Sequence, residues 1–281
     1  MFGSMLWIES KKFFQQPILW IELAVLALLA ASMPVLIYAV GQFSPAEVSA
    51  EMQAVVIWPN AVIDALSMAG ASGLGGMLVV ILAGSAITQE YQWRTLHFWI
   101  SRGVPRGVYL LARFASLLAP ALLLALAALL AGGLSSLVIT LAVNGTVDMQ
   151  QINLFQLLPG LLRAAYTLLP YAALALLLGT ATRSPAATIG AGVCLALLFE
   201  KVLSQVFGLI GGPLAALIEW LPMTMGTVLM SQNVRIAAGQ VAEASPISTL
   251  SASACAAGIA MYTLIFLGLA LWQLKKQDLT G

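Results

Sequence analysis

The chain has 281 residues, of which 61% are hydrophobic and 8% charged, with a mean hydropathy of +0.98 and a net charge of +1. A soluble domain carries about 25% charged residues. This composition therefore excludes a water-soluble enzyme, a disordered chain and a nucleic-acid binder with a basic face, and leaves a polytopic membrane protein.

Residues 1–17 are predicted to form an interfacial helix. Phe2, Leu6 and Phe13 share one face with Trp7 and Phe14 beside it, Lys11 and Gln15 lie opposite, and Glu9 interrupts the apolar side. The apolar run after Lys11-Lys12 is too long for the core of a cleaved signal peptide. A membrane helix needs about 20 apolar residues, and six stretches meet this: about 18–40, 68–88, 113–143, 157–180, 185–207 and 251–273. Pro34, Pro120 and Pro170 fall inside three of them, where each removes a backbone hydrogen bond. Gly70, Gly73 and Gly76 line one side of the second span, and Ala186, Ala187 and Gly190 mark the fifth as a close-packing helix. Gly208, Gly211, Gly212 and Pro213 end the fifth span, and an apolar excursion over 208–222 reads as an external re-entrant helix pair before helix six.

Charge placement selects six spans over seven. With both termini cytosolic, the inner segments hold Lys11, Lys12, Arg94, Arg102, Arg106, Arg113, Arg183, Lys275 and Lys276 against Glu9, Glu90 and Asp278. The outer segments hold Glu47, Glu51, Asp64, Asp148, Glu200, Glu219 and Glu243 against Arg163, Lys201 and Arg235. Basic residues concentrate on the cytosolic side of membrane proteins, so this asymmetry sets the orientation in a cytoplasmic membrane.

The sequence lacks the motifs of membrane enzymes. No glycine precedes a lysine, so there is no phosphate-binding loop, and there is neither an H-E-x-x-H pair nor a G-x-S-x-G elbow. Cys194 and Cys255 sit in apolar runs, His97 is the one histidine, and no metal or cofactor site is expected. Glu22 is the acid clearly inside a span, a candidate intramembrane functional group within reach of the interface; Arg163 sits near the outer end of the fourth span.

The segment between spans two and three carries the most information. Between Glu90 and Arg113 it holds Tyr91, Trp93, Phe98, Trp99 and Tyr109 together with Arg94, Arg102 and Arg106. Aromatic residues and arginine dominate interface hot spots. Glu90 and Arg94 are spaced i, i+4, which favours a helix there, and Gly103-Val104-Pro105 supplies a turn before span three.

At these residues the chain resembles the ABC-2 type permeases, the membrane subunits of a class of ATP-binding cassette exporters. The local match is Glu90…Thr95-Leu96, then Ser101-Arg102-Gly103-Val104-Pro105-Arg106-Gly107, then Leu110-Leu111-Ala112-Arg113. Members typically show an acidic residue, a Gly-Thr pair, a Ser-Arg element and a lysine opening span three; here Arg94 stands where Gly is common and Arg113 where Lys is common. The resemblance covers the layout of the whole chain, 1–281, as one transmembrane domain.

That resemblance implies an all-α permease with a cytosolic coupling helix over 89–106. Glu90, Tyr91, Trp93, Arg94, Thr95 and Leu96 would face a separate ATPase subunit, and Arg102, Pro105, Arg106 and Arg113 would form the joint behind it. It implies as partners two cytosolic ATPase subunits, which bind the ATP and magnesium, and a second permease copy or a homologous permease. The expected pathway carries little charge beyond Glu22 and Arg163, which favours an apolar or amphipathic substrate. A secondary transporter or channel and a non-transporting scaffold are the alternative classes.

Overall fold

A computed structural model describes residues 2–210, 213–239 and 248–277, with the side chains at 97, 197, 198, 208–210 and 213–215 left out. Among them the chain is all-helical, with one isolated bridge between Ile152 and Ala237 in place of any sheet. Asp278, Glu243, Gly211 and Gly212, invoked above, lie outside the described residues.

The chain opens with α1 (Phe2–Gln15) and α2 (Pro17–Gly41), then α3 (Ala46–Val56), α4 (Asn60–Ala69), α5 (Gly75–Gln92) and the short α6 (Thr95–Ser101). It continues with α7 (Arg106–Ser116), α8 (Leu118–Asn144), α9 (Leu154–Thr167), α10 (Leu169–Thr182), α11 (Pro185–Val193), α12 (Glu200–Ile210), α13 (Pro213–Ile218), α14 (Pro222–Ser231) and α15 (Ala252–Lys276). Five stretches are long and apolar enough to cross a membrane: Pro17–Gly41, Arg106–Asn144, Leu154–Thr182, Pro185–Phe207 and Ala252–Lys276. A sixth exists if α3 and α4, bent by 70° at their junction, are taken as one broken span. These helices mark the chain as a membrane protein.

Proline acts as predicted in two spans. Pro120 and Pro170 each follow a one-residue break, at Leu117 and Leu168, because proline has no N–H to return to the carbonyl four residues back. Pro34 stays inside an unbroken α2. A wide turn unanticipated from sequence, Cys194–Phe199, joins α11 to α12 as π-helix.

The region predicted as one helix over 68–88 is instead two helices meeting at a turn over 70–74. Four glycines in Gly70–Gly76 weaken a helix there, each by about 1 kcal/mol relative to alanine. A Cβ at Gly73 would run into the Met68 carbonyl, and one at Gly75 into that of Ala69, so the tight reversal excludes side chains. The Leu74 N–H bonds the Met68 carbonyl at 2.8 Å, and the Ala71 N–H bonds the Thr167 hydroxyl at 3.1 Å, which pins the turn to α9.

α10 packs between α5 and α15, α2 and α4 pack on α8, α11 on α5 and α1 on α7. Small residues set these approaches. A Cβ at Gly132 of α8 would meet the Ala65 side chain of α4, and one at Gly179 of α10 would meet Ile87 of α5. In the fifth span the packing positions are Gly192, where a Cβ would lie 2.6 Å from Val80, and Thr188 against Gly84. The predicted stripe of Ala186, Ala187 and Gly190 is exposed, with nothing within 4 Å of a Cβ at Gly190. We therefore expect Gly132→Val to lower stability by about 1–3 kcal/mol through overpacking. Gly190→Ala should be neutral or stabilising. Thermal melts of the two purified variants against the parent chain check this pair.

Beyond the fifth span, helix continues through Ile210 and past Gly208, then α13 and α14 follow. The excursion therefore extends to Ser231. Its last helix is the most embedded: Thr224, Met225, Gly226, Val228, Leu229 and Met230 are buried, and α14 packs on α15 and α9.

Candidate functional site

One end of the bundle gathers the start of α7 and the ends of α5, α10 and α15, with α1 alongside. The Tyr91 hydroxyl donates to Gln277 at 2.9 Å, and the Gln277 amide donates to the Thr180 carbonyl at 2.7 Å. Arg106 donates to the Leu274 and Lys275 carbonyls at 2.8 and 2.7 Å, covering the C-terminus of α15, where cations are favoured.

Inside this end lies a closed network of charge. Glu9 of α1, Glu90 of α5 and Arg113 of α7 are buried, and Lys12 of α1 is half-buried. Lys12 bridges both carboxylates, at 2.8 Å to Glu9 and 2.8 Å to Glu90. Arg113 pairs with Glu9, lies 3.4 Å from Glu90 and donates to the Ala86 carbonyl at 2.5 Å. The Tyr109 hydroxyl donates to the other Glu90 oxygen at 2.7 Å. Two carboxylates and two cations sum to zero, so the burial leaves no unpaired ion. The Phe13 and Trp99 rings lie 5.1 Å from the Arg113 guanidinium and 5.7 Å from the Lys12 ammonium.

This network explains α1. Its inward face is Met5, Glu9 and Phe13, spaced by four; Phe2, Trp7 and Phe14 are exposed and Leu6 is partly so. The acid that broke the predicted apolar face is the one that faces the protein.

The loop after α5 then turns outward. Arg94 ends α5 in the left-handed region (φ 55°, ψ 20°), where glycine is most comfortable. The predicted Glu90–Arg94 pair is absent, because Glu90 points into the network and Arg94 breaks the helix that would have aligned them. α6 carries Leu96 into the interior and leaves Phe98 exposed, with Arg102 stacked over the Phe98 ring at 3.8 Å. Gly103 (φ 79°) closes α6, with the Val104 N–H returning to the Trp99 carbonyl at 3.2 Å, and Pro105 leads into α7.

The six residues predicted to face a partner therefore divide. Trp93, at 70% exposure, and Arg94 project outward; Tyr91 and Thr95 are partly covered; Glu90 and Leu96 are internal. Of the predicted joint, Arg102 and Pro105 are exposed, Arg106 caps α15 and Arg113 is buried. Phe98 is an outward residue that the earlier set omitted; its signal was its place on α6 opposite Leu96.

Glu22 is covered by the protein rather than turned outward. It is buried in α2, and neither carboxylate oxygen has a hydrogen-bond partner among the described residues. Arg163 donates to Asn233 and to Gln156. At the outer end predicted for the fifth span, Glu200 is buried and accepts from the Tyr171 hydroxyl at 3.1 Å and the Met223 N–H at 2.8 Å. It thereby ties α12 to α10 and α14. No cluster of histidine, cysteine or acidic residues suited to a metal occurs among the described residues.

A family model described as a protein of unknown function, DUF2705, matches residues 60–280. The chain belongs to the DUF2705 family. The DUF2705 match spans α4 through α15, so it includes Glu90, Arg113 and the exposed edge of α6, while Glu9 and Lys12 precede it. No curated protein matches the chain.

Proposed function

We propose that the chain is the permease subunit of an ATP-binding cassette exporter of the ABC-2 type. In this reading it spans the cytoplasmic membrane six times with both termini in the cytosol, and it pairs with a second copy or a homologous permease. It moves an apolar or amphipathic substrate. ATP and magnesium bind to separate ATPase subunits, and this chain performs no hydrolysis.

One observation carries the reading: an exposed edge of Trp93, Arg94 and Phe98 adjoins, through Thr95 on the Glu90 carbonyl and the Trp99 ring beside Lys12, a buried, charge-balanced network shared by α1, α5 and α7. A push on that edge reaches three helices through buried ion pairs, as coupling between a soluble motor and a membrane domain requires. The basic end of the bundle then faces the cytosol, in keeping with the distribution of Lys and Arg.

The test is co-expression with an ATP-binding protein encoded beside this chain. We expect the two to co-purify in detergent and the complex to hydrolyse ATP faster with an amphipathic substrate present. A complex that never forms, or an ATPase rate indifferent to this chain and to substrate, overturns the proposal.

A further inference from the structure

Away from the charge network, α2, the end of α3, α4, the turn over 70–74 and the start of α12 line a half-open cavity of about 600 Å³. Its place near Pro34 is about 25 Å along α2 from Pro17, at 1.5 Å per residue. The volume lies in the range of small-molecule sites. Ala30, Pro34, Ala65 and Met68 supply an apolar wall, and two opposite charges, Asp64 and Lys201, also line it.

Neither charge is satisfied by the protein among the described residues. Asp64 makes no ion pair or side-chain hydrogen bond, and the polar side chains one turn away are used elsewhere: Asn60 donates to the Ala54 carbonyl and Ser67 to that of Ile63. Lys201 sits beside an acid, but Glu200 turns away from the cavity to Tyr171 and Met223. Asp64 and Lys201 do not pair with each other: the ion pairs among described residues are all in the Glu9–Lys12–Glu90–Arg113 network. Both side chains are exposed at the rim of the apolar wall, so two unpaired and opposite charges are free there to meet a guest of complementary charge.

We infer that this cavity binds a zwitterionic amphiphile. Its ammonium is held by Asp64, its acidic group by Lys201, and its apolar body lies along α2 and α4. This deepens the permease reading by naming a substrate class, but binding is measured on the chain without any ATPase, so the two can fail separately.

The experiment uses the full-length chain in dodecyl maltoside, with binding followed by native mass spectrometry. The probes are lysophosphatidylethanolamine, lysophosphatidylglycerol, an uncharged monoacylglycerol and the chainless headgroup glycerophosphoethanolamine. We expect saturable binding of lysophosphatidylethanolamine and at least about tenfold weaker binding of the other three, lysophosphatidylglycerol losing one charge-assisted contact, the monoacylglycerol both, and the chainless headgroup the apolar wall. Asp64→Asn should bring lysophosphatidylethanolamine down to the level of lysophosphatidylglycerol. Lys201→Gln should weaken both phospholipids about tenfold. Asp64→Glu and Lys201→Arg, which keep the charges, should retain binding and so separate lost recognition from lost folding. Equal affinity for the uncharged amphiphile, equal affinity for the chainless headgroup, or indifference to both neutralising substitutions overturns the inference.

Discussion

Arg113→Met should destabilise the chain by about 3–5 kcal/mol, the penalty for leaving a buried charge without its partner. The substitution keeps much of the side-chain volume, so little of the loss comes from a cavity. It strands Glu9 and Glu90, both fully enclosed, with Lys12 as their one remaining cation, and frees the Ala86 carbonyl. A melt of the full-length variant in detergent, compared with the parent, reads the loss; a midpoint unchanged from the parent would show that the network is not closed. Arg113→Lys keeps the charge and should recover most of the stability, although its single ammonium lacks the guanidinium fork that reaches Glu9 and Ala86 together. Lys12→Met should cost less than Arg113→Met, since Lys12 is half-open to solvent, where ion pairs are weakened. Adding Glu9→Gln to Arg113→Met removes one stranded carboxylate and should restore part of the loss, a non-additivity characteristic of residues sharing one network.

Most of the helical plan was legible because lipid-facing helices announce themselves by length and apolar content. The five spans found need no tertiary information to be recognised, and the proline positions located the breaks at Leu117 and Leu168. The second span was misread for a physical reason. Its glycines were taken as a packing stripe on a continuous helix, whereas at Gly73 and Gly75 they serve a chain reversal, and composition alone does not distinguish the two uses. The fate of charges was the least legible feature. Glu9 looked like a defect in an amphipathic face, Glu90 like half of a surface i, i+4 pair, and Glu22 like a side chain able to reach the interface. Each is buried, and although Lys12 also reaches Glu9 within α1, the contacts that join the helices, Lys12 to Glu90 and Arg113 to Glu9, span 78 and 104 residues of sequence. Such long-range pairing is set by packing, and no local periodicity encodes it. The two positions at which the chain departs from the ABC-2 pattern have a physical account here: Arg113 stands where the network needs a cation, and Arg94 occupies a left-handed position that suits glycine.

That last position allows the coupling hypothesis to be separated from conformation. Trp93→Ala should weaken engagement of the ATPase subunit about 30-fold, the effect of removing a hot-spot aromatic worth about 2 kcal/mol. Its exposed ring makes no hydrogen bond among the described residues, so the permease itself should melt normally. Arg94→Glu should abolish substrate-stimulated ATP hydrolysis by reversing the charge at the contact. Arg94→Gly is the decisive comparison. It relieves the left-handed strain, so the fold gains about 0.4–1 kcal/mol or is unchanged net of the added freedom of the unfolded chain. If charge is what the partner reads, Arg94→Gly should still lose stimulation, while Arg94→Lys keeps it. If the backbone turn alone positions α6, Arg94→Gly should be fully active and Arg94→Lys equally so. The readout is ATPase stimulation in the assembled complex, scored against co-purified yield. Unchanged stimulation in Trp93→Ala and Arg94→Glu together would remove the outer edge of α6 from the coupling pathway and leave the buried network beneath it as a purely structural joint.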